Sequence, residues 1–357
     1  MEKITTNTEL IADIAWTLTV AANTNQLNVD GEYLWSCPKP YNFTDLRGRS
    51  KSIFSSGNAI KDQCVIEYMR SININHCLQK PTTVDEFQDY FVYWLNNGSY
   101  YNLQNIELFT HKTFSSGSQE SFLNFYIMNK NKRFRVFRGD YWWHMEIWDA
   151  LGLNWCYIEE DDITNGDICL LSYPFAHTGD KHAYTDELIN TCNRLGIELL
   201  IDFIYLPNSI NCVDIDLSAE CINTITFSLS KTFPVQTAKI ALRLSKHDIN
   251  DPMSISHKEN ISNRLSAALG LAVIKKFDID YNVNKYVDRQ QNWCKILGLQ
   301  PTKVVHFAIG EDYTSFGRQD KLWFSEYNIQ HNRYNLGILY ENEELLKQLG
   351  YYNDKPK

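Results

Sequence analysis

No stretch of the 357-residue chain approaches the roughly 20 uncharged apolar residues that a membrane-spanning helix needs. Basic residues are in deficit, with 34 Lys and Arg against 43 Asp and Glu for a net charge of −9. Without a basic stripe, gripping nucleic acid or an anionic membrane is not the expected task, although a local phosphate site is compatible with the balance. The nine cysteines, at positions 37, 64, 77, 156, 169, 192, 212, 221 and 294, include no CxxC pair and no His-rich spacing. That argues against a metal site and against a disulfide framework. Scattered thiols among Leu, Ile and Trp read instead as small core residues of a reducing compartment. The opening MEKITTNTELIADIAW sets Glu2, Glu9 and Asp13 around a short apolar pattern, without the basic-then-apolar order of a secretory signal, so a cytoplasmic protein is expected. No internal repeat is visible.

What is present is globular: 44% hydrophobic and 22% charged residues. At about 150 residues per domain the length suggests two domains. Aromatics reach 13%, with 9 Trp and 21 Tyr, enough for a ligand platform as well as a core. An amphipathic helix is expected from about Glu9 to Val20, and a second from Val84 to Leu95, ended by Asn97-Gly98. From Leu108 the chain takes on α/β rhythm. LFTHKTF, RFRVFRG, DICLLSYP, IELLIDFIY, TITFSLSK and AKIALRLS read as strands. Helices follow Ser115-Ser116-Gly117-Ser118 through Met128, run from Tyr141 to Leu151, and run from Asp186 to Leu195. Gly196 closes the last of these, as a residue free to adopt positive φ. The pattern predicts an α/β fold with a mostly parallel, helix-covered sheet that binds ligands at the carboxyl ends of its strands. After Asp251-Pro252 one long helical region is expected, His257 to Leu297. A smaller α/β unit should follow, with TKVVHFAIG, KLWFSEYN and RYNLGILY as strands and ENEELLKQLG as a closing helix. The expected division is an N-terminal segment 1–60 packing with the small domain, a large domain 61–280 and a small C-terminal domain 281–357.

The segment that points to chemistry is ITFSLSKTF. Lys231 stands at the end of a buried strand, where burial penalises an ammonium. Taken alone it reads first as a surface-turn lysine. Upstream, IDFIY puts Asp202 at the carboxyl end of another apolar strand and Tyr205 three residues later. A lone Asp there is commonly a cap or turn acid. Ser116-Gly117-Ser118 opens a helix after a strand, where unpaired N–H groups and the helix dipole can cradle a phosphate. A carboxylate for a pyridinium nitrogen, a phenol for a phenolate oxygen and an amine for an aldehyde are together what pyridoxal phosphate asks of a protein.

The order Ser-Gly-Ser, aromatic, Pro-x-x-x-Thr-Gly, Asp-x-x-Tyr, Ser-x-Ser-Lys resembles the large domain of fold type I pyridoxal-phosphate-dependent enzymes, and among them class I/II aminotransferases. The matching stretch runs from about Phe114 to Arg243, and its most specific elements are Asp202-x-x-Tyr205 and Ser228-x-Ser230-Lys231, with 29 residues from Asp202 to Lys231. The resemblance implies that Lys231 forms the Schiff base and shuttles a proton at the substrate α-carbon. It implies that Asp202 keeps the pyridine nitrogen protonated and that Tyr205 hydrogen-bonds the ring's O3′. Ser116, Gly117, Ser118 and Ser228 would line the phosphate. Tyr141 falls where the family stacks an aromatic on the ring, with Trp142 or Trp143 as neighbours that could take that place or serve as plain core. A homodimer with its active site at the subunit interface is also implied.

Two departures stand out. The family's Asn-Pro-x-Asn-Pro-Thr-Gly reads Tyr173-Pro174-Phe175-Ala176-His177-Thr178-Gly179 here. The Asn that contacts O3′ becomes Ala176, so that hydrogen bond, worth about 0.5–1.5 kcal/mol, is missing or comes from His177. Eight residues after Lys231 the family's phosphate-pairing Arg becomes Lys239, with Arg243 four residues later. A lysine neutralises phosphate but lacks the guanidinium fork. Near the C-terminus, HNRYNL resembles the small-domain strand whose Arg grips the substrate α-carboxylate, which makes Arg333 the candidate. The expected activity is amino-group transfer between an amino acid and a 2-oxo acid. A lyase or decarboxylase acting at the α-carbon is the alternative motivated by the altered 173–178 loop. A non-catalytic binding or assembly subunit is the alternative from another class.

Overall fold

The computed structural model describes residues 57–73, 80, 82–310 and 332–351, with scattered positions among the first 51. The chain divides into two compact units, Cys64–Val283 on one side and Met1–Gln63 with Asn284–Lys357 on the other.

The larger unit is built on seven strands: β1 His111–Ser115, β2 Arg133–Val136, β3 Trp155–Tyr157, β4 Asp167–Ser172, β5 Leu199–Asp202, β6 Thr224–Ser228 and β7 Ala241–Ser245. They lie side by side in the order β1-β7-β6-β5-β4-β2-β3. Every neighbouring pair is parallel except those of β7, which runs antiparallel to both β1 and β6. The sheet is therefore mostly parallel, as the α/β rhythm predicts. Strands β4 to β7 are buried along their whole length, which is why IELLIDF and DICLLS read as unbroken apolar runs with no alternation.

The helices of the larger unit are α1 Gln63–Ser71, α2 Thr83–Leu95, α3 Ser118–Met128, α4 Trp143–Leu151, α5 Thr185–Leu195, α6 Pro252–Lys258 and α7 Arg264–Lys276, and α8 Tyr281–Leu297 begins there and continues into the smaller unit. Helix α2 lies along α7, burying Phe87, Phe91 and Trp94 in the main core. Gly196 ends α5 at φ 65°, the left-handed conformation expected of it. The first expected helix, Glu9 to Val20, is described at six positions, Leu10, Ile11, Asp13, Ile14, Thr17 and Leu18, all helical.

Three expectations need correction. The region 257–297 is three helices, because the helix is interrupted around Asn260, which is left-handed at φ 57°, and again at Phe277–Asp280. Its first helix starts at Pro252, with Asp251 accepting from Ser254 N at 2.9 Å, and proline at the first helical position suits that start. RYNLGILY is half strand and half helix: β10 Asn332–Asn335 is followed by α9 Gly337–Glu341, where Gly337 N donates to Asn335 Oδ1 at 2.8 Å and opens the helix. The thiols are not uniformly core, since Cys64 is exposed while Cys169, Cys192, Cys212, Cys221 and Cys294 are buried. Strand β3 and the short parallel ladder of Asn102–Gln104 with Asp214–Asp216 had no signal of their own.

In the smaller unit, β9 Phe307–Gly310 lies between β8 Gln300–Pro301 and β10, antiparallel to both, and α10 Glu343–Gln348 follows α9. The buried Gln290 side chain donates to the carbonyls of Thr302, Val304 and Phe307, fixing the turn into β9. KLWFSEYN lies outside the described residues. Among the described residues no helix is long and apolar enough to cross a membrane.

Candidate active site

Because β7 alone runs backwards, the carboxyl ends of β1, β2, β4, β5 and β6 and the start of β7 share one edge of the sheet. Ten residues singled out from sequence, Ser116, Gly117, Ser118, Tyr141, His177, Asp202, Tyr205, Ser228, Lys231 and Lys239, all fall on that edge, in its loops or at the strand and helix ends that border them. Arg333 belongs to the other unit; there it lies on β10, 2% exposed, with its guanidinium 4.3 Å from the Phe307 ring centroid.

The turn from β1 into α3 is tied down by its own serines and by the helix. Ser115 Oγ donates to Gly117 O at 2.7 Å, and Ser116 N donates to Glu120 Oε2 at 2.5 Å. Gly117 takes φ 87°, and a Cβ there would sit 3.3 Å from Lys239 Cδ. Only glycine combines that φ with so close a neighbour. Beyond it the N–H groups of Ser118 and Gln119 open the first turn of α3, where no helical carbonyl faces them. Lys239 is exposed and also left-handed, at φ 54°. Its Nζ lies 3.5 Å from Gln119 Oε1, and Gln119 Nε2 donates to Tyr141 Oη at 3.1 Å. Gln119 thus strings together the cradle, the lysine and the aromatic candidate.

Tyr141 is half-buried, stacked on Trp143 at 6.2 Å and edge-on to Trp142 at 5.9 Å. Trp143 also meets Phe122 and Tyr126, so it is committed to packing under α3. Just before Tyr141, a side chain at Gly139 would begin 3.2 Å from His177 Cβ, which brings the 139–141 and 173–179 loops together. In the second loop Ala176 and His177 are both buried, at 3% and 5% exposure.

Asp202 ends β5, 2% exposed. Its Oδ1 accepts from Thr226 Oγ1 at 3.1 Å and from Ile204 N at 3.2 Å. Burial and the neighbouring Asp140 push its carboxyl up to about 8, against the hydrogen bonds and the cation Lys231, which favour the charged form. Asp140 is 1% exposed and accepts from Ser172 N at 3.0 Å, from Ser172 Oγ and from Tyr141 N at 2.6 Å. Ser172 and Asp202 are register partners on β4 and β5. Behind them Tyr126 Oη is hydrogen-bonded to His144 Nδ1, and burial pushes that imidazole down to about 3, so it is neutral.

Lys231 follows β6, half-buried, and its carbonyl accepts from Asn208 Nδ2 at 2.7 Å. Asn208 is fully buried and accepts in turn from Asn282 Nδ2 at 2.8 Å. Tyr205 stands between Asp202 and that asparagine, 6% exposed. Ser228 Oγ lies 3.2 Å from Ile240 O and 3.1 Å from Ser230 Oγ, and it accepts from Ser230 N at 3.2 Å, which curls the chain into Lys231. Arg243 lies in the middle of β7, doubly hydrogen-bonded to Asp251 and donating to Ser254 Oγ at 2.9 Å. It is spent on a buried ion pair and leaves Lys239 as the described cation beside the cradle.

Asp140, Gln119, Asn208, Thr226 and Asn282 carried no motif. Thr226 in particular is one of three polar residues alternating with Ile225 and Phe227 in TITFS, so nothing in the strand set it apart. The edge offers an amine, a buried acid opposite it, a flat aromatic and an anion cradle, a set that can hold a flat heteroaromatic ring bearing a phosphate.

No family model matches the chain, and no curated protein matches it in sequence. Solved structures do. The PLP-bound C-S lyase from Staphylococcus hominis complexed with L-cycloserine is 14% identical at a TM-score of 0.62, covering 90% of this chain and 96% of its own. An aminotransferase from Staphylococcus aureus is 14% identical at 0.59, with 91% and 98% covered. The aspartate aminotransferase from Thermotoga maritima is 11% identical at 0.58, with 84% and 92% covered. The chain has the fold of the fold type I pyridoxal-phosphate-dependent enzymes. At such identities the likeness speaks for the fold, and the chemistry rests on the residues above.

Proposed function

We propose that this protein is a pyridoxal-phosphate-dependent aminotransferase that moves an amino group between an amino acid and a 2-oxo acid. The observation that carries the reading is Lys231 beside Asp202, a half-buried amine and a buried acid following neighbouring parallel strands, with the acid's ionised form favoured by the amine. The residues fit the cofactor: a glycine-opened cradle sits under Lys239 at one end and a buried acid at the other. When bound, the cofactor supplies an aldehyde for the amino group and a ring that takes up the electron pair released at the α-carbon.

The chain's own residues divide the remaining work. Asp202 would hold a proton at the ring nitrogen, with Thr226 Oγ1 and Ile204 N supporting its charged form. Tyr205 would donate to the ring's O3′, and the buried His177 would supply the second partner that Ala176 lacks. Ser116, Gly117, Ser118 and Ser228 would line the phosphate and Lys239 would neutralise it. Tyr141, braced by Gln119, would cover one face of the ring. The Lys231 amine would take the α-proton and return it, with its backbone fixed by Asn208. Arg333 would clamp the α-carboxylate, which orients the bond to be broken. A cytoplasmic homodimer belongs to the same reading.

The purified protein should be yellow, keep the cofactor covalently after borohydride, and lose both properties in Lys231→Ala. A colourless wild type that takes up no added pyridoxal phosphate rejects the proposal. The structural likeness to a C-S lyase and the substitution at Ala176 favour one second reading, lyase chemistry at the same site. Turnover that depends on an added 2-oxo acid supports transfer, and turnover of a thiol-bearing amino acid without one supports the lyase.

A further inference from the structure

Two buried carboxylates lie side by side at the edge of the sheet, and they are not equivalent. Asp140 is surrounded by donors: Ser172 N, Ser172 Oγ and Tyr141 N all donate hydrogen bonds to its carboxylate. Asp202 has two donors on one oxygen, Thr226 Oγ1 and Ile204 N. Their closeness follows from the sheet, since Ser172, which holds Asp140, is the register partner of Asp202 and the two strands run parallel. Asp140 is 1% and Asp202 2% exposed, so water does little to separate them. Two acids so placed do not both ionise readily, and hydrogen bonds decide which one does.

We propose that Asp140 is the second carboxylate at the ring-nitrogen end of the site, a positioning residue that acts through Asp202 by taking the negative charge and leaving the proton on Asp202 until a cationic ring nitrogen arrives. The inference rests on the pyridoxal-phosphate reading for its purpose, although its electrostatics belong to the chain alone. The groups facing Asp202 are Asp140 from the loop after β2, Lys231 after β6, Thr226 on β6, the Ile204 N–H, and Tyr126 on α3. Burial raises the carboxyl of Asp202 most and Asp140 raises it further, while Thr226, the Ile204 N–H and Lys231 lower it. When a protonated ring nitrogen docks, the Asp202 proton leaves to solvent and the carboxylate pairs with the ring. If the ring arrives neutral, the same proton passes from the Asp202 oxygen to the nitrogen. In both cases one O–H bond breaks and one ion pair is made.

The test uses the full chain stripped of cofactor, with pyridoxal 5′-phosphate as the probe. In the wild type at pH 7, infrared spectra of the protein labelled with 13C-aspartate should show a protonated carboxyl band that disappears in Asp202→Asn. In Asp140→Asn that band should weaken, with the Asp202 titration moving down by on the order of one pH unit. Ser172→Ala, which removes one donor from Asp140, should move it the same way by less. Calorimetry in buffers of different ionisation enthalpy should find that protons exchanged on cofactor binding differ between wild type and Asp140→Asn by about half a proton. An Asp202 already ionised at pH 7 in the wild type, or a titration unmoved in Asp140→Asn, overturns the inference. Failure of the wild type to bind the cofactor would reject the proposed function instead, and the infrared titration would still decide the role of Asp140.

Discussion

Buried acids are where single residues matter most here, because each is held in one protonation state by its neighbours. The carboxyl of Asp202 is pushed up to about 8, so between an unfolded-state value near about 4 and that point the folded chain binds a proton that the unfolded chain has released. Folded stability without cofactor therefore falls as pH rises from about 4 to about 8. Asp202→Asn should flatten that fall and gain on the order of a few kcal/mol at pH 8, with no gain at pH 4, as read from thermal melts of the cofactor-free chain. A variant destabilised at both pH values would show that the carboxylate is needed for packing. Lys231 and Asp202 were legible from sequence because an ionisable group at the end of an apolar run is anomalous. Asp140 was not, since Gly-Asp before an aromatic pair is also ordinary turn chemistry, and only the parallel pairing of β4 with β5 gives that acid its neighbour.

Elements begin and end where side chains satisfy backbone groups, and the start of α6 shows how closely that is tied to the sheet. Asp251 accepts from Ser254 N at the helix start and from the buried Arg243 of β7, while Asp251 itself is 1% exposed. Asp251→Ala removes a cap, usually worth about 1 kcal/mol, and leaves a buried guanidinium uncompensated, a loss of about 3–5 kcal/mol. Urea denaturation should show a loss near the upper figure. A cost below about 1 kcal/mol would mean that Arg243 reaches another partner. The strands and the helices of the sheet unit were readable because period and burial run together. The breaks at Asn260 and Phe277–Asp280 were not, because neither carries glycine or proline. RYNLGILY misled because its apolar run continues through a strand and the helix after it.

At the scale of the whole molecule, the chain assigns the amine, the acid and the anion cradle to one unit and Arg333 to the other. Under the proposed function, Arg333→Gln should raise KM for the amino acid about 10- to 100-fold, the loss of one charge-assisted bidentate contact. Cofactor binding, measured by equilibrium dialysis, should be unchanged. If the cofactor affinity fell instead and KM held, Arg333 would be a support of its own unit and another group would grip the carboxylate. Under the same proposal the acidic net charge is a background against which Lys231, Lys239 and Arg333 would be the cations set aside for an aldehyde, a phosphate and a carboxylate.

Local order was written in the chain. Apolar runs ending in Asp202 and Ser228, a glycine turn opening a helix and a lysine after Ser-x-Ser are fixed by backbone sterics, hydrogen bonding and the cost of burying charge, all of which act between near neighbours. Which of these ends face the same edge was not, because that depends on strand order and direction. A single antiparallel strand, β7, brings Lys239 back to Gly117 across a gap of 122 residues in sequence. Pairings over such distances leave no periodicity to read. It took the assembled sheet to set Asp140 against Asp202 and to send Arg243 to Asp251, since electrostatic partners are chosen by proximity in space, and proximity comes from the hydrogen-bonded register of strands that the chain itself keeps far apart.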